Sequence, residues 1–200
     1  MQSLTKEPID FTAARLAMIN SQLRTSGVNA QWALERMRDV SRETFVSPAM
    51  RVMAYSDRAI RLDDRHSMAA PLFYGMMLQE SRPQLHDRVL IVSPAPGYLA
   101  ELFRPLVSEV VTLSPQEASH PSETQADVTL LLIDGAAEQI PAALAVRLAT
   151  GGRAVGGIIR NGVQRLATGR RAGDDIVMQP LMEMGIPRLP EFDKPKGWRF

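Results

Sequence analysis

The stretch Val89 to Leu102, VLIVSPAPGYLAEL, constrains the fold more than any other part of the chain. An apolar run, Val89 to Val92, enters a turn, and a helix-compatible run leaves it at Tyr98, the order of a nucleotide-binding strand-turn-helix. In such a turn several glycines let the backbone approach a ligand, and free N–H groups at the helix start hydrogen-bond it. Here the turn reads Ser93-Pro94-Ala95-Pro96-Gly97. Two prolines remove two donors and fix φ, so Gly97 alone keeps full backbone freedom. The turn is suited to keeping a fold rather than gripping a cofactor.

The segments around it define an α/β chain. Asp10 can cap a helix carrying Phe11, Ala14, Leu16, Ile19 and Leu23, most of them on one stripe, with Gly27 closing it. A second helix is expected from Asn29, with Trp32, Leu34, Met37 and Val40 facing the core, and a short third over Ala49 to Tyr55. Asp57 to Ser67 reads as loop, and Pro71 opens a helix over Leu72 to Glu80 whose Met76 and Met77 are core filler. From His86 onward short apolar runs alternate with turns. The expected strands are Val89 to Val92, Glu109 to Leu113, Val128 to Asp134 and Arg153 to Ile159, with a helix over Ile140 to Leu148 and a turn at Gly151-Gly152. Right-handed crossover logic makes the last two strands parallel. Gly162 to Arg170 and Asp175 to Glu183, around Arg171 to Asp174, form an antiparallel hairpin.

Composition narrows the partners. At 200 residues, 45% hydrophobic and 22% charged, the chain has material for one core, read as one domain with a helical part over 1–85 and a sheet over 86–200. A net charge of +1 gives no overall pull toward nucleic acid or membrane. The absence of cysteine excludes disulfides and thiolate metal sites and suits a reducing compartment. No segment approaches the ~18 apolar residues of a membrane span, and the start lacks a signal-type apolar core, so a cytoplasmic protein is expected.

The ordered series ARLAMINSQLRTSGV, RMRDVSRETFVSPAMRVMAYSD, DRVLIV, GYLAEL, LLLIDGAAEQIPAAL, LATGGRAV and PEFDKPKGWRF resembles the protein-L-isoaspartate O-methyltransferase family, particularly its bacterial branch. The resemblance implies a Rossmann-like S-adenosylmethionine-methyltransferase fold: N-terminal helices, a mostly parallel sheet and a C-terminal antiparallel hairpin. It also implies transfer of a methyl group from S-adenosylmethionine to the abnormal carboxyl of isoaspartate.

Residue by residue, most of the implied chemistry does not carry over. Where the family closes its first strand with Asp or Glu, this chain has Ile91. Its Gly-x-Gly-x-Gly turn falls on Ser93, Ala95 and Gly97, and its ribose-holding acid falls at or near Ser114. The family's substrate-side serine belongs where this chain reads Met68, Ala69 and Ala70, with Ser67 displaced from the position. Between Ser114 and Val128 only PQEASHPSETQAD remains, which reads as loop, so a third strand is expected to be missing and Glu109 to Leu113 to become a sheet edge. Losing a charged ribose contact and two backbone donors sums to about 3–5 kcal/mol, or on the order of 10² to 10⁴ in affinity.

Three functions follow as expectations. The first is a methyltransferase-like protein with weakened cofactor binding, no expected cofactor, and a role in interaction or regulation. The second is an active protein carboxyl methyltransferase that still uses S-adenosylmethionine. The third is a module binding another small anion at the Gly97 turn. Candidate cofactor positions are Ser93, Ala95, Gly97, Ser114 and Asp134, the last beside the crevice of an open sheet. Asp63, Asp64 and His66 resemble metal ligands by type, but a solvated loop is the simpler reading and no metal is expected. His86 and His120 are expected at the surface. Arg160, Arg165, Arg170 and Arg171 gather around the hairpin as a solvated basic face or a site for an anion or an acidic partner. Apolar helix positions and the new sheet edge together suggest a homodimer or another protein partner.

Overall fold

A computed structural model describes residues 9–95, 97–120 and 127–195. Its six-stranded sheet runs β4-β3-β5-β6-β7-β8, with β3 at Arg88–Val92, β4 at Glu109–Leu113, β5 at Val128–Ala137, β6 at Leu148–Arg160, β7 at Val163–Ala172 and β8 at Asp175–Glu183. The first three pairings, β4 with β3, β3 with β5 and β5 with β6, are parallel, and the last two are antiparallel. The expected plan therefore holds. Among the described residues β4 is an edge strand, and Pro96 and residues 121–126 lie outside them.

The sheet is buried on both faces, which is why its central strands are continuous apolar runs. Val89, Ile91, Leu130, Leu132 and Val155 face the N-terminal helices, while Leu90, Val92, Leu131, Ile133 and Ala154 face Leu144, Leu148, Leu189 and Phe192. Side chains alternate across the sheet with a period of two, so each strand serves both layers. At about 25 cal/mol per Å² this burial is the main stabilising term.

Helix α1 spans Phe11–Met18, and the Asp10 carboxylate accepts hydrogen bonds from Thr12 and Ala13 N–H as expected of its cap. The chain then widens into a π-turn over Ile19–Leu23 and ends at Gly27, whose φ of 96° needs the freedom of glycine. Helix α2, Gln31–Asp39, starts two residues later than expected: the N–H groups of Asn29 and Ala30 are taken by the Gln79 side chain before the helix begins. The third segment is a 3₁₀ turn, Pro48–Met53. Within the expected loop, Ile60–Arg61 (β1) pairs antiparallel with Ser67–Met68 (β2), because Ile60 and Met68 are both apolar and both buried. Helix α3, Pro71–Ser81, is apolar all round and runs through the core.

Other boundaries shift for stated reasons. Pro115–Ala118, expected as loop, is a short helix, α5, held by a capping box in which Ser114 and Glu117 exchange hydrogen bonds. The helix expected over Ile140 to Leu148 is only Ala142–Ala145 (α6), since Leu148 pairs with Val128 and so joins β6. The Gly151-Gly152 turn survives as a loop-out in β6: Leu148 and Arg153 oppose Val128 and Leu130, and Gly151 has φ 76°. Strand β5 outruns Asp134 because the C-terminal segment docks on it. Ala136 N–H donates to Pro187 O and Leu189 N–H to Ala136 O. Most apolar positions of the N-terminal helices are covered within the monomer, Met18, Leu23, Leu34 and Met37 being buried, but Leu16 is exposed. Val52 in the 3₁₀ turn and Val111 on the β4 edge also stay exposed.

Candidate functional site

The C-terminal ends of β3 and β5 meet at the crevice where open α/β sheets bind ligands. Ser93 follows β3, and Asp134 lies near the end of β5, only 4% exposed. The Asp134 Oδ2 accepts a 2.7 Å hydrogen bond from the Ser93 hydroxyl, whose oxygen also lies 2.8 Å from Ala95 O and accepts from Ala95 N–H at 3.0 Å. A hydroxyl has one proton. With Asp134 ionised, Ser93 has two acceptors to serve and can serve only one fully. With Asp134 protonated, a continuous chain forms in which Asp134 donates to Ser93 and Ser93 to Ala95. Burial raises the Asp134 carboxyl to about 6, while Ser93, Tyr74 and the charge of Arg42 pull it down.

Arg42 is the largest fully buried side chain. Its Nε donates to Ala54 O at 2.7 Å and its Nη2 donates to Ala69 O. Its guanidinium carbon stands 5.1 Å from the ring centres of both Tyr74 and Tyr98, and Nη1 has no acceptor among the described residues. Two aromatic faces thus take the place of the missing acceptor. Tyr74, on α3, accepts from Ala69 N–H at 3.3 Å, and its phenol is pushed well above the ordinary range by burial and then by Asp134. Tyr98 opens helix α4, Tyr98–Phe103, and its phenol is likewise raised by burial. The knot Arg42–Tyr74–Asp134–Ser93 therefore ties the segment before Pro71 to the ends of two sheet strands.

Gly97 has φ 94°, as a turn glycine should. The space beneath it is taken by Phe45: a methyl added at Gly97 would sit 3.1 Å from Phe45 Cε1, and Phe45 packs edge-on against Tyr98 with ring centres 5.5 Å apart. Ser114, at the end of β4, is occupied as the cap of α5. Its N–H and its hydroxyl both donate to the Glu117 carboxylate, at 2.8 and 2.7 Å, which together with the amide holds that acid below its usual range.

Of the five sequence-predicted positions, Ser93, Ala95 and Asp134 come together in one hydrogen-bonded unit, Gly97 lies at the adjoining turn, and Ser114 belongs to the neighbouring cap. Sequence reasoning missed Arg42, Phe45 and Tyr74. An arginine in the polar run SRETF carries no signal of burial, and Tyr74 is hidden in an all-apolar helix. The proposed metal-type residues also have a partner that spacing could not reveal. His66 lies between Asp63, 3.0 Å from Nδ1, and Glu191, 3.3 Å from Nε2, clamping the Asp63 loop to the C-terminal segment. Among the described residues no group of three or more His, Cys, Asp or Glu could hold a metal ion. Likewise, no helix among them is long and apolar enough to cross a membrane.

A mostly parallel sheet closed by an antiparallel hairpin, with helices on both faces, defines the Rossmann-like methyltransferase class. Residues 14–125 match the model of the Protein-L-isoaspartate(D-aspartate) O-methyltransferase (PCMT) family, and the chain belongs to that family. It is 35% identical over 104 residues to the protein-L-isoaspartate O-methyltransferase of Herpetosiphon aurantiacus, a match covering 52% of this chain and 46% of that protein. The corresponding protein of Roseiflexus castenholzii is 28% identical over 200 residues, covering 88% and 91%. Among solved structures, a protein-L-isoaspartate O-methyltransferase from Plasmodium falciparum, in complex with S-adenosyl-L-homocysteine, superposes with a TM-score of 0.72 at 14% identity, over 88% of this chain and 98% of that one.

At the crevice Phe45 lies where a side chain on Gly97 would project, the Ser93 hydroxyl bonds the Asp134 carboxylate, and the Ser114 hydroxyl bonds Glu117. Ligand binding there would have to break hydrogen bonds already made inside the protein.

Proposed function

We infer that this member of the family has weak or no S-adenosylmethionine binding and that its fold serves interaction or regulation rather than methyl transfer. The observation that carries the reading is Phe45 packed against the Gly97 turn, on the side where a side chain at Gly97 would project. The self-satisfied Ser93–Asp134 pair supports it, as does the alanine pair Ala69-Ala70 where the family's substrate-side serine belongs, with the Ala69 carbonyl bound by Arg42. The fold is kept because the same crevice has become core: Arg42, Phe45, Tyr74 and Tyr98 knit the N-terminal segments to the sheet.

An active protein-L-isoaspartate O-methyltransferase is the second reading. Its relatives carry that name, and one observation favours it: Glu117 holds a carboxylate beside Ser114, at the end of β4 where a ribose-binding acid would be wanted. Use of that acid requires the α5 cap to open. A small-anion module at the Gly97 turn has less support, because α4 is only six residues long and the Ser93 hydroxyl is engaged.

The test is methyl transfer itself. The full chain is incubated with labelled S-adenosylmethionine and an isoaspartyl peptide, and base-labile methyl ester is counted. The expected result is incorporation equal to a protein-free blank. Multiple turnovers per chain would establish the second reading instead.

A further inference from the structure

The far end of the sheet carries a cationic cavity that the crevice chemistry does not use. Arg153 pairs with Leu130 and Gly156 with Ile133, so Arg153 lies about 13 Å from the Asp134 end at about 3.3 Å per residue. Across the antiparallel ladder Arg153 is the register partner of Arg170. Two arginines directly opposite on one face repel unless an anion answers them. Buried Asp87 answers Arg153 through a 2.6 Å ion pair. Among the described residues Arg170 has only the Gly151 carbonyl, at 3.2 Å. Above them, Arg82 caps α3 in the left-handed conformation, φ 45°, where a non-glycine residue is uncommon.

These three arginines, with Thr168 and Gln179, line a cavity of about 520 Å³. Glu80 also lines it, so three cations stand against Glu80 and the adjoining Asp87, which leaves the cavity positive. The other hairpin arginines are already engaged: Arg160 by Met178 O, Arg165 by Glu183 and Arg171 by Leu148 O. Arg82 and Arg170 are the exposed cations of the cavity, and no carboxylate among the described residues pairs with either. Val155 and Val177 give one apolar wall.

We propose that this cavity binds a phosphomonoester, with Arg170 and Arg82 gripping the phosphate oxygens and Arg153, fixed by Asp87, completing the positive field. Guanidinium forks match the tetrahedral oxyanion geometry, and the Thr168 hydroxyl and Gln179 amide add neutral donors. The volume is that of a small-molecule site, and the ester substituent lies along the apolar wall. The phosphate is carried either by a free phosphorylated metabolite or by a phosphorylated side chain of a peptide, and both present the same group to the arginines.

Isothermal titration of the full chain at about 0.15 M salt, where loose ion attraction is screened, tests the site with inorganic phosphate, a hexose phosphate and a phosphoserine peptide. Saturable binding of at least one probe is expected. Arg170→Gln and Arg82→Asn, the latter suited to the left-handed position, should each weaken it at least about tenfold. Arg104→Gln, on an exposed arginine paired with Glu101 elsewhere, should not change it. Tighter binding of the hexose phosphate assigns a metabolite, and tighter binding of the peptide assigns a protein partner. No saturation up to about 10 mM for any probe, or equal binding by folded Arg170→Gln protein, overturns the proposal.

Discussion

Arg42→Met is expected to destabilise the protein by about 3–5 kcal/mol, the range for removing one member of a buried charged network. Methionine replaces most of the volume but none of the donors. The carbonyls of Ala54 and Ala69 lose a charged partner, and both tyrosine faces lose their cation. The Asp134 carboxyl, which Arg42 holds down, should titrate higher still. Denaturant unfolding followed by circular dichroism measures the change. A loss below about 1 kcal/mol would show that the guanidinium is not a keystone of the core.

Asp134→Asn is expected to act in the opposite direction. The folded carboxyl titrates at about 6, against 3.8 ordinarily. Its neutral form therefore contributes stability that is fully present below about pH 4 and is lost as pH rises through about 6. At neutral pH the folded protein carries this carboxylate at a cost of up to about 3 kcal/mol. Asparagine is close in shape and permanently neutral, and its amide can donate to the Ser93 oxygen as the protonated acid does, freeing the Ser93 proton for Ala95 O. Stability should rise by about 1–3 kcal/mol at pH 7, or about 2–4 °C in Tm per kcal/mol. The gain should shrink toward pH 4, where wild type is already protonated. Thermal melts at pH 4 and pH 7 make the comparison. Equal Tm for the two proteins at pH 7 would mean that Asp134 is not strained by its burial.

The central strands could be read because a sheet buried on both faces forces uninterrupted apolar runs such as Val89 to Val92, and the exposed edge strand Glu109 to Leu113 was legible from its β-branched residues. The hairpin was legible because Gly173 stands at its turn with φ 64°. What failed depended on distant partners. Strand β5 runs past Asp134 because Gly157 and Ile158 of β6 pair with it on one side and residues 187–189 dock on the other, and Leu148 is strand because Val128 is opposite. The ladder in the loop around Asp57 to Ser67 joins near neighbours instead, and two-residue strands are too short to show a period.

The site shows the same division. Ser93, Ala95 and Asp134 could be proposed from their places after two strands, and the structure joins them. The residues that decide what the crevice can do, Phe45 and Arg42, come from a polar run whose local pattern says surface. Their role depends on the three-dimensional closure of residues 42–46 over the Gly97 turn, which periodicity does not encode. Family membership likewise fixes the fold without fixing the chemistry, since function rests on particular side chains.

Calorimetric titration with S-adenosylmethionine and S-adenosylhomocysteine, run to millimolar ligand at several temperatures, tests the central claim most directly. The account predicts no saturable heat for either ligand, because Phe45, Ser93 and Ser114 already occupy the contacts that a ligand would need. Micromolar binding of either ligand would contradict it and show that the crevice opens to hold the methyl donor.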